Sequence, residues 1–490
     1  MIDQNNPVWR NPRQIIERIT IKGDLVLQTA AHFGGGDSPP WSRIDMALLR
    51  DPLEGRALLP GASIAGALRN YLRERLGGYD SPVEAEPLTR LLGGSKGDDD
   101  GAQSLLLIDD ALAEMPQIEL RDGVKIEAAS RTADKGQLFN MELLPAGTRF
   151  ELVFELLVPA GQRDELARLL ALALQGFEAG PSTHAEITLG ARKRRGLGRG
   201  LVKKWRVECY KLTEKQGLIG WLDESEPSAR SEGPIATALG LAAAPTEDAR
   251  SFFELKAKFA LDSSLLIRSH YDELGLGADF AHLHVTGTDG QLKPIVPGTS
   301  WAGVVRHRAL RIAKTLRPSE GETLVNRMFG AAEDKPKNQA LTASRVVVDD
   351  STIEAARPWV QTRIQIDRFT GGAYPGALFE EAPIFGDKTA YVTLHLTLRN
   401  PADHEVGLLL LVLKDLWSGD LPVGGESSVG RGRLAGQEAT LTFKGNGAGV
   451  VKQTIKLVND KLVVEKPAAL QEYVDKLHTA AWEEINGTQN

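Results

Sequence analysis

Between Arg192 and Arg206, eight of fifteen residues are lysine or arginine, and Gly196, Gly198 and Gly200 interrupt them. A cationic loop spaced by glycine suits the holding of a polyanion. Glycine lets backbone amides approach an anion closely, and arginine carries a charge that persists at any ordinary pH. A polyphosphate backbone is the favoured ligand, with Arg192, Arg194, Arg195 and Arg199 as its contacts; a merely solvated charged face is the competing reading. A second anion site is offered by Pro60-Gly61-Ala62-Ser63. Ser63 stands where an N-cap would, ahead of a helix with Ile64, Ala67, Leu68, Tyr71, Leu72 and Leu76 on one face. Uncapped amides at such a helix start suit a phosphate. His32 closes an apolar run and could act in acid–base chemistry, contact a ligand, or simply pack. No His-Asp pair is spaced to activate Ser63 or Ser300, so neither serine reads as a nucleophile.

These residues recur. Pro60 to Arg69 matches Pro297 to Arg306 at six of ten positions, at a constant offset of 237. His32 answers to His270, and Leu106-Leu107-Ile108-Asp109-Asp110 to Val346-Val347-Val348-Asp349-Asp350. Arg131-Thr132 answers to Arg368-Phe369-Thr370, Gln137-Leu138-Phe139 to Ala377-Leu378-Phe379, and Gly198-Arg199-Gly200 to Gly430-Arg431-Gly432. The chain is a tandem duplication, and Arg69 and Arg306 become paired candidates for gripping phosphate.

The elements that must position these groups repeat as well. In the first half, alternation over 15–31 reads as a strand, 64–76 as a helix, and 105–109 as a buried strand. Phe150–Val158 reads as a strand, Arg163–Gln175 as a helix and Leu201–Tyr210 as a closing strand. That order is the ferredoxin-like split arrangement, an α+β fold. The polar segment 212–250 reads as a linker. Residues 1–211 and 251–440 are then two domains, and 441–490 a hairpin and a helix, Ala468 to Ile485, without counterpart. With 490 residues, a net charge of −7, 42% hydrophobic residues and one cysteine, the chain reads as a cytoplasmic protein without a disulfide, a cysteine zinc site or a membrane segment.

Three signatures in order resemble the RAMP superfamily of CRISPR-associated proteins, in particular the double backbone subunit of subtype III-D complexes. They are His32-Phe33-Gly34-Gly35-Gly36, the run from Ile44-Asp45-Met46 through Arg50-Asp51-Pro52 to Arg69, and Gly196-Leu197-Gly198-Arg199-Gly200. The resemblance implies two tandem ferredoxin-like (RRM-like) RAMP domains with thumb hairpin insertions, at Lys125–Leu144 and Thr362–Pro383. It implies a guide RNA, a target RNA and other type III effector subunits as partners. It also implies metal-dependent cleavage of target RNA by a loop aspartate with a divalent cation, Mg2+ by preference. Asp45 takes that role in the first repeat and Asp279 in the second, where His284-Val285-Thr286 replaces Arg-Asp-Pro. RNA contacts are then expected from His32, Ser63, Arg69, Arg131, Arg192, Arg194, Arg195, Arg199, His270, Ser300, Arg306, Arg368 and Arg431. Phe139 and Phe379 are expected to wedge against bases or to anchor the thumbs. The rivals are a backbone subunit whose aspartates are inert and a guide-processing ribonuclease using His32 or His270.

Overall fold

The computed structural model describes residues 14–35, 44–81, 86–94, 103–126, 133–180, 185–269, 271, 273–331, 342–445, 449–459, 461–479 and 482. Strand Ile15–Leu27 buries every second side chain, with Ile19, Ile21, Leu25 and Leu27 wholly inside. It is the centre of an antiparallel sheet in which it lies between Arg149–Pro159 and Gly200–Lys211, with Leu106–Ile108 beyond the former. Helices Gly61–Gly77 and Arg163–Leu174 supply apolar faces to one core with this sheet. Numbered along the chain, the four strands lie in the order two, three, one, four, which is the ferredoxin-like sheet.

The second half repeats that plan. Phe252–Leu261 lies between Ile384–Arg399 and Leu434–Lys444, and Val346–Val348 pairs with the former. Helices Gly298–Leu316 and Asp403–Trp417 help fill a second, separate core around Phe253, Phe259 and Trp301. Each repeat throws out a hairpin between its second and third strands. In the first it is Glu119–Ile126 paired with Ala133–Leu143; in the second, Gln361–Arg363 pairs with Phe379–Ala382.

Three expectations change. Residues 212–250 are no bare linker. Helix Lys215–Leu222 packs there, and strand Ala229–Gly233 adds a fifth strand to the first sheet by pairing with Trp205–Cys209. A free sheet edge recruits whatever chain follows it, and the polar composition hid this. In the second repeat the closing strand runs to Lys444, and its edge is covered by the hairpin of Val450–Val458 and Lys461–Val464. The terminal helix is Pro467–Thr479 among the described residues. Finally, the first thumb begins at Glu119, six residues before the expected start; its Gly123 and charged residues masked the strand pattern.

Candidate functional site

The loop before the first thumb is stitched to the thumb's returning strand. Met46 bridges Met141 in parallel fashion, its N–H donating to Asn140 O at 3.1 Å, and Glu142 N–H donates to Met46 O at 3.0 Å. Asp45 sits at the start of this stitch, exposed. Its carboxylate accepts the Asn140 N–H at 2.8 Å, and the Asn140 side-chain oxygen accepts the Asp45 N–H at 2.8 Å. Below it, Glu142 takes the Leu48 N–H at 3.0 Å and lies 3.5 Å from Arg50.

The second repeat builds the same corner from different residues. Phe280 and Ala281 pair in parallel with Glu381 and Ala382, and the Asp279 carboxylate accepts the Glu380 N–H at 2.8 Å. Asp279 is exposed like Asp45. Two main-chain correspondences fix the register. Ala31 and Leu265 exchange hydrogen bonds with Leu144 and Ile384, and Leu49 and Leu283 donate to Phe33 and Ile267. Both give an offset of 234, and the same offset carries Asp45 onto Asp279. Loss of the Arg-Asp-Pro turn leaves this corner intact because the stitch is made of backbone.

That register corrects two pairings. Gly198 has a positive φ of 80°, and a Cβ on it would fall 1.8 Å from Leu189 O; for Gly432 the figures are 79° and 2.0 Å from Val423 O. Gly198 therefore matches Gly432, so Arg199 matches Arg433, and the residue that matches Arg431 is Leu197. Likewise His32 O and Leu266 O accept the equivalent N–H groups of Ala191 and Gly425. The counterpart of His32 is thus Leu266, not His270. His32 is 3% exposed, and its Nδ1 lies 2.9 Å from the Glu142 carbonyl. A seat filled by histidine in one repeat and a fully buried leucine in the other is a packing seat, so neither acid–base chemistry nor RNA contact is assigned to His32. His270 lies outside the described residues, as does Arg131.

Several other expected RNA contacts have internal partners. Helix one begins at Gly61 with Pro60 as its N-cap, so Ser63 lies inside the first turn rather than capping it. The Gly61 N–H donates to Asp110 at 2.7 Å, and Gly298 N–H to Asp350 at 2.8 Å. A carboxylate already occupies each helix start, which removes the anion site expected beside Ser63 and Ser300. Arg69 donates to Leu92 O and Gly93 O at 2.6 and 2.9 Å, and Arg306 to Asn326 at 2.8 Å; each ties its helix to the next one. Arg431, 3% exposed, is enclosed by Glu426, Glu381, Gln361 and Ser264. Arg368 is displayed as expected, exposed on a turn held by Asp367, whose carboxylate accepts the Phe369 and Thr370 N–H groups.

The aromatic wedges are also redistributed. Phe139 lies across Gly123 at the thumb root, with the Arg192 guanidinium 4.5 Å from its ring centre, and Phe379 is half-buried opposite Arg363. The apolar groups displayed on the hairpins include Ile126 and Leu138 on the first thumb, and Ile366, Leu378 and Phe369, the last 92% exposed, on the second. Sequence reading passed over them because isolated apolar residues in a polar hairpin carry no periodicity.

The basic glycine loop faces the second repeat. Arg199 donates to both oxygens of Asp349 at 2.8 and 2.9 Å and to Ala185 O at 2.7 Å. Arg195 donates to Val346 O at 2.9 Å, and Arg194 to Ser344 O. Burial, with repulsion from Arg306 and Arg194, pulls the Arg195 pKa down to about 10. From the thumb root, Arg121 donates to Asp350 at 3.0 Å, completing its coordination. Behind Asp349 lies His395, with Nδ1 2.6 Å from Asp349 and Nε2 2.7 Å from Glu254. Burial opposes the imidazolium, but hydrogen bonds to these two carboxylates outweigh it and raise the His395 pKa. Against its own burial, His395 and Arg199 hold the Asp349 carboxyl well below the usual carboxylate range. Nothing in the sequence marked Arg121 or His395 as partners of this seam; the repeated Asp-Asp pair was the available sign.

Comparison with known proteins agrees with this duplication. The RAMP superfamily matches residues 24–202 and again 275–435. A protein of Mycobacterium tuberculosis (strain ATCC 25618 / H37Rv), named CRISPR system Cms endoribonuclease Csm3, is 30% identical over 152 residues. The match takes in 28% of this chain and 64% of that relative, so it spans less than two thirds of the relative's length. Among the described residues no helix is long and apolar enough to cross a membrane, and no group of three or more His, Cys, Asp or Glu side chains could enclose a metal.

Proposed function

The chain belongs to the RAMP superfamily, and from that premise we propose that it is a backbone subunit of a type III CRISPR effector complex, holding guide RNA and cutting the complementary target RNA. The observation that carries the reading is the recurrence of an exposed aspartate at the root of each thumb, Asp45 and Asp279, anchored to the returning strand in the same way. The endoribonuclease named as a relative supports the reaction class. Guide contacts come from the exposed faces of the thumbs, including Arg368, and base pairing supplies the sequence specificity.

The donor set at each corner fits one mode of metal binding. A magnesium ion keeps several waters and needs only one or two protein carboxylates beside phosphate oxygens. Asp45 and Asp279 would each hold such an ion, which when bound would offset the charge that builds on the phosphate being cut. The chain's own part is positional. The backbone stitch fixes the carboxylate at the thumb root, and the exposed apolar groups of the thumb press on the bases so that the sugar-phosphate between them is presented to it.

The hydrogen bond from Asn140 to Asp45 favours a second reading, in which the aspartates only brace the thumbs. Asp45→Asn separates the two, because the amide oxygen still accepts that bond while the charge is lost. In the assembled complex, we expect Asp45→Asn to remove one target-cleavage product, at least about 100-fold in rate, and Asp279→Asn another. Unchanged cleavage in both variants would leave the bracing role alone.

A further inference from the structure

The seam inside this chain is a template for a second seam that the chain leaves open. The acceptor side on the second repeat consists of Asp349, Asp350 and the carbonyls of Ser344 and Val346. The first repeat carries the same surface. Asp109 N–H donates to Val153 O as Asp349 N–H does to His395 O, and Asp110 caps Gly61 as Asp350 caps Gly298. Ser104 Oγ donates to Leu106 O as Ser344 Oγ does to Val346 O. Asp349 and Asp350 have side chains only 16% and 10% exposed, covered by the basic loop and the thumb root, whereas Asp109 and Asp110 are both exposed.

The obvious occupant of the open face would be the second repeat of another copy, and its side chains are wrong for it. Arg192 and Glu426 hold the same left-handed backbone seat, with φ of 53° and 60°, and Gly196 and Gly430 follow with 91° and 89°. Seat by seat, Lys193, Arg194 and Arg195 are therefore replaced by Ser427, Ser428 and Val429, and Arg121 by Gln361. Arg199 keeps a cationic counterpart in Arg433. At these six seats the internal seam carries six cations and the free end one cation and one acid, while Arg431, at the seat of Leu197, is buried against Glu426 and Glu381 and turned away from the surface. The exposed Val429 and the inward-turned Glu426 add nothing that Asp109 or Asp110 would attract.

We propose that the Asp109–Asp110 face docks a cationic, glycine-spaced loop of a different polypeptide, and that this chain is built to reject its own second repeat there. Charge complementarity with the internal seam identifies the partner's chemistry, and the missing cations exclude self-stacking. Docking at this face involves no RNA and is independent of the cleavage chemistry at Asp45 and Asp279.

Sedimentation of the full chain should give 53.1 kDa at every concentration. Replacing the exposed Ser427→Lys, Ser428→Arg and Val429→Arg together should create head-to-tail oligomers of at least twice that mass. Adding Asp109→Arg to this variant should return it to a monomer. Mixed with the unaltered chain, that quadruple variant should form a one-to-one dimer, which Asp109→Ala in the unaltered partner abolishes. Circular dichroism confirms that each variant is folded. The proposal is overturned if the unaltered chain self-associates through Asp109, or if the folded triple variant stays monomeric and the mixture yields no dimer.

Discussion

The roots of the two thumbs occupy the same place in the fold and are held by opposite means. In the first repeat, Ala30, Met141 and Leu197 form a small apolar cluster. In the second, the corresponding seats are Ser264, Glu381 and Arg431, joined by hydrogen bonds of 3.3 Å from Arg431 to each of the other two. Glu381 is fully buried and also meets Arg268 at 3.0 Å and Arg363 at 3.4 Å. Its own pKa is raised, by burial first and then by the neighbouring Glu426. A dispersion-held node tolerates small changes of shape. A buried ionic node depends on every member remaining in place.

Swapping the nodes breaks this comparison most sharply. Met141→Glu would bury a carboxylate between Ala30 and Leu197, and should cost the first repeat about 4 kcal/mol. Glu381→Met would strand part of the Arg431 guanidinium and should cost the second repeat about 3 kcal/mol, less because Glu426 still holds it at 2.7 Å. The triple change Ser264→Ala, Glu381→Met and Arg431→Leu, which installs the first repeat's side chains, should come back to within about 1 kcal/mol of the original. Urea unfolding of the four proteins measures all three. A triple variant no more stable than Glu381→Met would show that the two nodes are not interchangeable.

Histidine placement sharpens the comparison through pH. His282 occupies the seat of Leu48, accepting the Ile267 N–H and lying 2.9 Å from Ile295 O, and burial with His284 beside it pushes its pKa down to about 3. The folded state refuses a proton that the unfolded chain accepts below about pH 6.5, so this group's stability is whole above that pH and falls as the pH drops toward 3. By pH 5 the loss should reach about 2 kcal/mol. His395 runs the other way, since its raised pKa makes its contribution fade as the pH rises. The difference between the unaltered chain and His282→Leu isolates the first effect. Equal acid sensitivity of the two proteins would discard it.

Much of the architecture was legible because it rests on periodicity and repetition. Alternation in Ile15–Leu27 and the duplicated Pro-Gly-x-Ser segment gave both ferredoxin-like units, and the position of Asp45 carried over to Asp279 through a correct count. What failed did so for physical reasons. Gly198 and Gly432 are matched by backbone crowding, which identical letters two residues away disguised. Ser63 looked like an N-cap because the true partner of the helix start, Asp110, comes 49 residues from Gly61. The arginines of the glycine loop read as phosphate contacts because their partners, Asp349 and Val346, lie in the other repeat. A sequence shows that a cation is present; which surface it meets is decided by packing.

The matched arginines Arg199 and Arg433 give the smallest and finest test. Arg199 is 15% exposed and grips Asp349 across the seam, while Arg433 is 54% exposed and lies 3.8 Å from an equally exposed Asp262. Solvent screens the second pair and leaves it worth little, whereas the first is sheltered and hydrogen-bonded to both carboxylate oxygens. Arg199→Ala should therefore cost about 2 kcal/mol and expose the seam to limited proteolysis, and Arg433→Ala should stay within about 0.5 kcal/mol with an unchanged digestion pattern. The contrast also bears on how the fusion works. If Arg199→Ala were as silent as Arg433→Ala, the seam would rest instead on Arg194, Arg195 and Arg121 against Ser344, Val346 and Asp350, together with the contacts of Glu74 and Tyr79 with Arg399 and Asn400.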